Sequence, residues 1–171
     1  MDQFVVGLDI AGNTGITEGW ADAAKPIRCY SKRFRLEDDD SAIPAMGRAT
    51  AFVARLINDQ RPVAVFVEDL IPMTKVASNF HSNLIQIGLF GAIIGMVRAR
   101  NIPVFPASIA RVRTHFLGRG HKLAGREAKR AVFNRCESLG WAPTDLDASD
   151  SAAVWDWGCA QVRFGALENA K

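Results

Sequence analysis

Cysteine is scarce. Cys29, Cys136 and Cys159 are too scattered for a zinc pattern and odd in number, so reduced, mostly buried thiols are expected. Long apolar runs are also missing: the most apolar stretch, Leu84 to Val97, is too short for a bilayer and contains Gln86, which excludes a membrane span. Met1-Asp2-Gln3 lacks the basic-then-apolar pattern of a signal peptide, and a cytoplasmic protein is expected. His81, His115 and His121 have no metal-binding spacing among themselves, and surface or packing roles are expected of them; His115 and His121 fall in a basic segment, where phosphate contact or assistance to a water is the alternative. Ser108 and Thr114 lack the partners of a nucleophilic triad. There is no internal repeat, low-complexity segment or linker, and 171 residues with 49% hydrophobic and 23% charged side chains predict one domain, 1–171, with a substantial core.

What is present gathers first near the start, in Phe4-Val5-Val6-Gly7-Leu8-Asp9-Ile10-Ala11-Gly12-Asn13-Thr14-Gly15. A strand-forming apolar run carries one carboxylate, then gives way to a small polar turn. An unpaired charge in or at the end of a buried strand is costly, so Asp9 calls for a cation.

The chain then reads in order. Phe4–Ile10, Ile16–Asp22 and Ile27–Leu36 predict a three-stranded meander, the last two strands joined at Lys25-Pro26. The acidic run Glu37-Asp38-Asp39-Asp40 precedes a helix from Ser41 through Ile57 and complements its N-terminus. Val63-Ala64-Val65-Phe66-Val67 is apolar without alternation, as in a central strand covered on both faces, and ends in Glu68-Asp69. Glu68 thus falls at a strand's carboxyl end, where open α/β sheets place their sites. After an irregular loop comes a long helix from about Ser78 to Arg100. Its Gly88, Gly91 and Gly95 are costly unless close packing needs them, and Gly91 and Gly95 share one face. Val104-Phe105 is a short fifth strand. A flexible Gly118-Arg119-Gly120 turn, a helix from Gly125 to Leu139, and a last helix from Asp147 through Val162 complete the order. Three strands, helix, strand, helix, strand, helices is the order of the α/β, ribonuclease H-like fold: a mixed five-stranded sheet, its first three strands antiparallel, with helices on both faces.

Asp147 and Asp150 lie three apart on one face of the last helix, where two like charges repel unless a cation lies between them. With Asp9 and Glu68 they make four acids from three distant segments. Carboxylate oxygens suit hard divalent cations such as Mg²⁺. Two such ions about 3.5–4 Å apart stabilise both the attacking water and the leaving oxygen of a phosphodiester. Singly, each acid has a plain reading: Asp147 as an N-cap, Asp150 as a first-turn charge, Glu68 as a strand-end charge. Together they point to metal-dependent phosphoryl chemistry. Asp69 and Asp145 are extra acids, read as solvated or supporting rather than ligating, and Trp155 and Trp157 read as packing anchors. Between Arg111 and Arg135 the chain carries eight positive residues and one negative, a local +7 within a total of +3. Such clustering fits either a polyanionic partner or a solvated helix face.

On these residues the chain resembles RuvC-type Holliday junction resolvases, particularly their short phage-like branch. The resemblance runs through Gly7-Leu8-Asp9-Ile10-Ala11 with Thr14-Gly15, Val65-Phe66-Val67-Glu68 and Asp147-Ala148-Ser149-Asp150, with weaker support from Gly118-Arg119-Gly120, Arg126 and Lys129. It implies a homodimer that cuts two strands of a four-way DNA junction. Asp9, Glu68, Asp147 and Asp150 would hold two Mg²⁺ or Mn²⁺ ions, and Arg111, Arg113, Arg119, Lys122, Arg126 and Lys129 would contact DNA. It also implies that the glycine-bearing long helix builds the dimer. The family's cellular members have Asp-Pro-Gly where this chain has Asp9-Ile10-Ala11-Gly12, and an aromatic wedge in the loop after the glutamate. Here Ile71, Met73 and Phe80 are the wedge candidates. Other functions share parts of the pattern. A branched-DNA-binding module without cleavage has no need of the four acids, and a ribonuclease acting on RNA–DNA hybrids shares fold and metals. A sugar-kinase- or actin-like ATPase would need a second domain and a second phosphate loop.

Overall fold

Alternation along the first strand sorts the molecule into two layers. In the computed structural model, which describes residues 3–37, 41–70, 80–119 and 121–165 (backbone alone at 80–82), the elements are β1 (Phe4–Asp9), β2 (Asn13–Trp20), β3 (Arg28–Arg33), α1 (Ile43–Gln60), β4 (Ala64–Glu68), α2 (Phe80–Ala99), β5 (Val104–Ala107), α3 (Ile109–Leu117), α4 (Gly125–Ser138) and α5 (Leu146–Arg163). Phe4, Val6 and Leu8 join Ala45, Ala49, Val53, Leu89 and Ile93 in a core under α1 and α2. Val5 faces the other way, into a core shared with α3, α4 and α5. The sheet order is β3-β2-β1-β4-β5. Its first three strands pair antiparallel, and β1, β4 and β5 run parallel. The architecture is the expected one: a mixed five-stranded sheet with helices on both faces. β4 divides its side chains between the two cores, Val65 and Val67 to one and Ala64 and Phe66 to the other, which explains its unbroken apolar run.

Several boundaries differ from expectation. β2 starts at Asn13 rather than Ile16, because its ladder with β1 reaches the Asp9–Gly15 pair and its ladder with β3 runs on to Asn13–Arg33, leaving only residues 10–12 as turn. β3 ends at Arg33, where its pairing with Asn13 ends. α1 starts at Ile43 with Ala42 as its N-cap and no acid in its first turn; Asp38 to Asp40 lie outside the described residues. α3 is a helix with no counterpart in the sequence reading, since only Val112 and Phe116 bury an apolar stripe within its charged surroundings. The glycines of α2 divide. A Cβ on Gly88 would lie 1.8 Å from the Cε of Met46 on α1, whereas Gly91 and Gly95 face open space. All three cysteines are free and buried, and burial pushes their thiols up to about 11 at Cys29 and about 12 at Cys136 and Cys159. Among the described residues no helix is long and apolar enough to cross a membrane.

Candidate active site

α5 lies unusually close to the sheet. A Cβ on Gly7 would stand 2.5 Å from the Trp155 backbone nitrogen, and one on Gly15 would stand 2.0 Å from the Asp147 carbonyl oxygen. Bare backbone at these two positions lets the helix cross β1 and β2 in direct contact. Trp155, fully buried and edge-on to Trp141 at 5.7 Å, anchors the middle of the helix, and Trp157 packs edge-on against Phe66.

The start of α5 is clamped from the sheet. Its N-cap is Asp145, not Asp147: the Ala148 N–H donates to Asp145 Oδ1 at 2.9 Å, and the Ser31 hydroxyl of β3 donates to Oδ2. Burial works against this charge, but hydrogen bonds from Ser31, Ala148 and Asn13 outweigh it and hold the carboxyl below its usual range. Asn13 Nδ2, at the head of β2, donates to Asp147 Oδ2 at 2.9 Å and reaches Asp145 Oδ2 at 3.4 Å. Asn13 and Ser31 are site residues that sequence reasoning missed. The position of Asn13 in the turn after Asp9 was the one available hint, because both contacts span more than a hundred residues.

The acids converge through strand register. The parallel β1–β4 ladder ends on the Leu8–Val67 pair, and Asp9 and Glu68 follow it side by side. Asp150 approaches from the buried face of α5 and Asp147 from its first turn. Lys129 of α4 sits among them, Nζ 2.9 Å from Asp150 Oδ2 and 3.2 Å from Asp147 Oδ1. Burial, then repulsion from Asp150 and Asp147, pushes Asp9 up to about 7 against the pull of Lys129 and Arg113. Burial, then Asp9 and Asp150, pushes Glu68 up to about 8. Asp150 is also raised by burial, while burial of Lys129 is outweighed by its acid partners, which hold its ammonium firmly protonated. Four carboxylates among the described residues therefore face two cations, Lys129 and Arg113. Among the described residues no three His, Cys, Asp or Glu side chains close into a preformed ion cage. Even so, the donor set is oxygen-only, and its unbalanced, desolvated negative charge is what a hard divalent cation neutralises. Such a cation and Lys129 compete for the same carboxylate oxygens.

The basic residues divide. Arg113, Arg126 and Lys129 line a cavity of about 500 Å³ with Asp9, Glu68 and the exposed Asp69. Arg113 has its Nε buried without a hydrogen-bond partner among the described residues. Arg111 and Arg119 instead line a separate cavity with His115 and Trp157, and His115 Nε2 lies 2.9 Å from Asp156 Oδ2. Lys122 is exposed and lines neither cavity, and His121 is half-buried with Nδ1 unpartnered among the described residues. Ile71 and Met73 lie outside the described residues, and Phe80 is described by its backbone alone.

Sheet order and crossing helix together give a RuvC-like α/β fold. No protein-family model matches the sequence, and no curated protein matches it. Solved structures do. T. thermophilus RuvC in complex with Holliday junction substrate matches with a TM-score of 0.72 at 19% identity, over 95% of this chain and 96% of that one. A second Thermus thermophilus RuvC structure matches at 0.72 and 21% identity, over 95% and 97%. The yeast mitochondrial Holliday junction resolvase Ydc2 matches at 0.61 and 12% identity, over 96% and 83%.

Proposed function

We propose that this chain is a metal-dependent, structure-selective endodeoxyribonuclease that resolves four-way DNA junctions as a homodimer, residues 1–171 acting as one nuclease domain. The carrying observation is the pair of adjacent strand-end carboxyls, Asp9 and Glu68, pushed up to about 7 and about 8 among further acids on a RuvC-like fold. Asp9, Glu68, Asp147 and Asp150 would hold two Mg²⁺ ions, with Mn²⁺ as a substitute. When bound, these ions supply the positive charge that activates a water and stabilises the leaving oxygen. The residues supply the rest. Asp9 and Glu68 are fixed by the sheet, Asp147 is oriented by Asn13, and Asp150 is released as Lys129 gives up its carboxylate. Arg113 and Arg126 border the cavity and attract the DNA phosphate. Hydrolysis then forms one phosphorus–oxygen bond to water and breaks one to the sugar. The water loses a proton to solvent and the departing sugar oxygen gains one.

The dimer reading draws on α2. Leu84, Ile87, Gly91 and Gly95 fall on one arc of that helix and are exposed, with open space above both glycines.

The test is nicking of a substrate panel (four-way junction, flap, RNA–DNA hybrid, linear duplex) with Mg²⁺ and with Mn²⁺. The expected result is junction cleavage that Asp9→Asn reduces by more than the roughly 10–100-fold typical of losing an outer partner of a metal ligand. Robust cleavage by Asp9→Asn would remove the assigned mechanism. Preference for the hybrid would make the protein a ribonuclease, and binding without nicking in either metal would make it a branched-DNA-binding module.

A further inference from the structure

Two cavities meet at Gln86. One is the acid cavity, bordered by Asp9, Ile10 and Ala11; the other, of about 570 Å³, begins where the same turn continues into Gly12. Gln86 lines both, and its Nε2 donates to the Ile10 carbonyl oxygen at 3.0 Å, fixing the partition between them. The second cavity is therefore separated from the acid cavity by this one partition.

The lining chooses which part of a nucleotide enters. Ile85 and Leu36 give an apolar wall suited to a base face. Arg33 and Arg35 bring two guanidinium groups, with no ion-pair partner among the described residues, that can stack on a base or donate to its edge. Glu37 at the same cavity opposes a second phosphate. The volume lies within the roughly 300–1,000 Å³ of small-ligand sites, more than a lone phosphate needs. We propose that this cavity receives the unstacked base of the nucleotide adjacent to the phosphate being cut, a subsite that holds the strand in register for cleavage. The proposal rests on the nuclease reading.

Abasic scanning tests it. Junctions carrying a single abasic site at each position flanking the cut are cleaved by the wild type, by Arg33→Ala/Arg35→Ala and by Gly12→Leu. Gly12 has no left-handed φ, and a Cβ there meets nothing within 4 Å, so leucine fills the cavity without straining the turn. The wild type should lose about tenfold in kcat/KM at one abasic position, the scale of one base contact. Both variants should cleave intact and abasic junctions alike. A parallel metal-free titration with 2-aminopurine at that position should give a fluorescence change with the wild type that both variants lack. If the wild type cleaves junctions but its abasic penalty persists unchanged in both variants, the subsite is wrong and the nuclease reading stands. If the wild type neither binds nor cleaves any branched DNA, both fall.

Discussion

Lys129 holds the charge balance of the acid cluster, and two outcomes follow from its position. Its ammonium is the near partner of Asp150, whose carboxylate is 5% exposed. Lys129→Met removes that charge's near partner and leaves only Arg113 facing it, and a loss of about 3 kcal/mol in metal-free stability is expected, partly recovered on adding Mg²⁺. Thermal melts with chelator and with Mg²⁺ check this. The second outcome concerns pH. Asp9 and Glu68 bind protons more tightly folded than unfolded, with values of about 7 and about 8 against 3.8 and 4.5. Their contribution to stability is therefore fully present below about pH 4 and lost as pH rises through 7 and 8. In chelator, Tm should fall between pH 5 and pH 8.5, as each group costs roughly 1.4 kcal/mol of stability per pH unit until its folded value is passed. Asp9→Asn should flatten the curve and be more stable than the wild type at pH 8.5 without metal. Mg²⁺ should raise the wild-type Tm there far more than that of the variant. A wild-type curve that stays level across this range would contradict the burial of these charges.

At the scale of the element, α5 does for its acids what the strands do for Asp9 and Glu68, and it depends on what lies beneath. Gly15→Ala sets a methyl 2.0 Å from the Asp147 carbonyl oxygen, and both stability and Mg²⁺ affinity should drop as the helix start lifts. Asn13→Ala separates the two effects. It removes the donor on Asp147 while leaving the Asp145 cap its bonds from Ala148 and Ser31, so Tm should move little and Mg²⁺ affinity should fall about 10–100-fold by calorimetry. Equal affinity in the variant and the wild type would show that Asp147 needs no such orientation. These contacts also mark where the sequence stops being legible. Asp9 and Glu68 stood out because an apolar run carries the one and another ends on the other, and period and burial are local properties. The capping of α5 was misassigned by two residues because Asp145 and Asp147 are equally good caps in isolation. The partners that decide between them, Ser31 and Asn13, come from β3 and β2 across a sheet whose register no local pattern reveals. α3 was invisible for a related reason: two buried residues four apart, Val112 and Phe116, carry too little periodicity among arginines.

At the scale of the whole molecule, the stripe on α2 is left exposed by the packing of the described residues. Gly88, one position off that stripe, is filled by Met46 of α1, so a small residue alone does not mark an outward surface. Gly91 and Gly95 do, because open space lies above them while Leu84 and Ile87 extend the same arc with 48% and 39% exposure. On the proposed dimer reading, a second copy laid along this arc would bury apolar side chains beside bare helix backbone, and two-fold symmetry would present two acid sites to one junction. Ile87→Asp and Gly91→Glu place a charge at the centre of that contact without touching the protein's own core. Each should weaken self-association by about a hundredfold or more with monomer Tm nearly unchanged, measured by sedimentation equilibrium. Function gives the sharper readout. On a supercoiled plasmid with an extruded cruciform, paired cuts across the junction by a dimer yield linear DNA, whereas isolated sites yield nicked circles. The wild type should give mainly linear product, and the two variants mainly nicked circles at concentrations below their new dissociation constants. Linear product from a variant that sediments as a monomer would place the symmetry of the reaction somewhere other than α2.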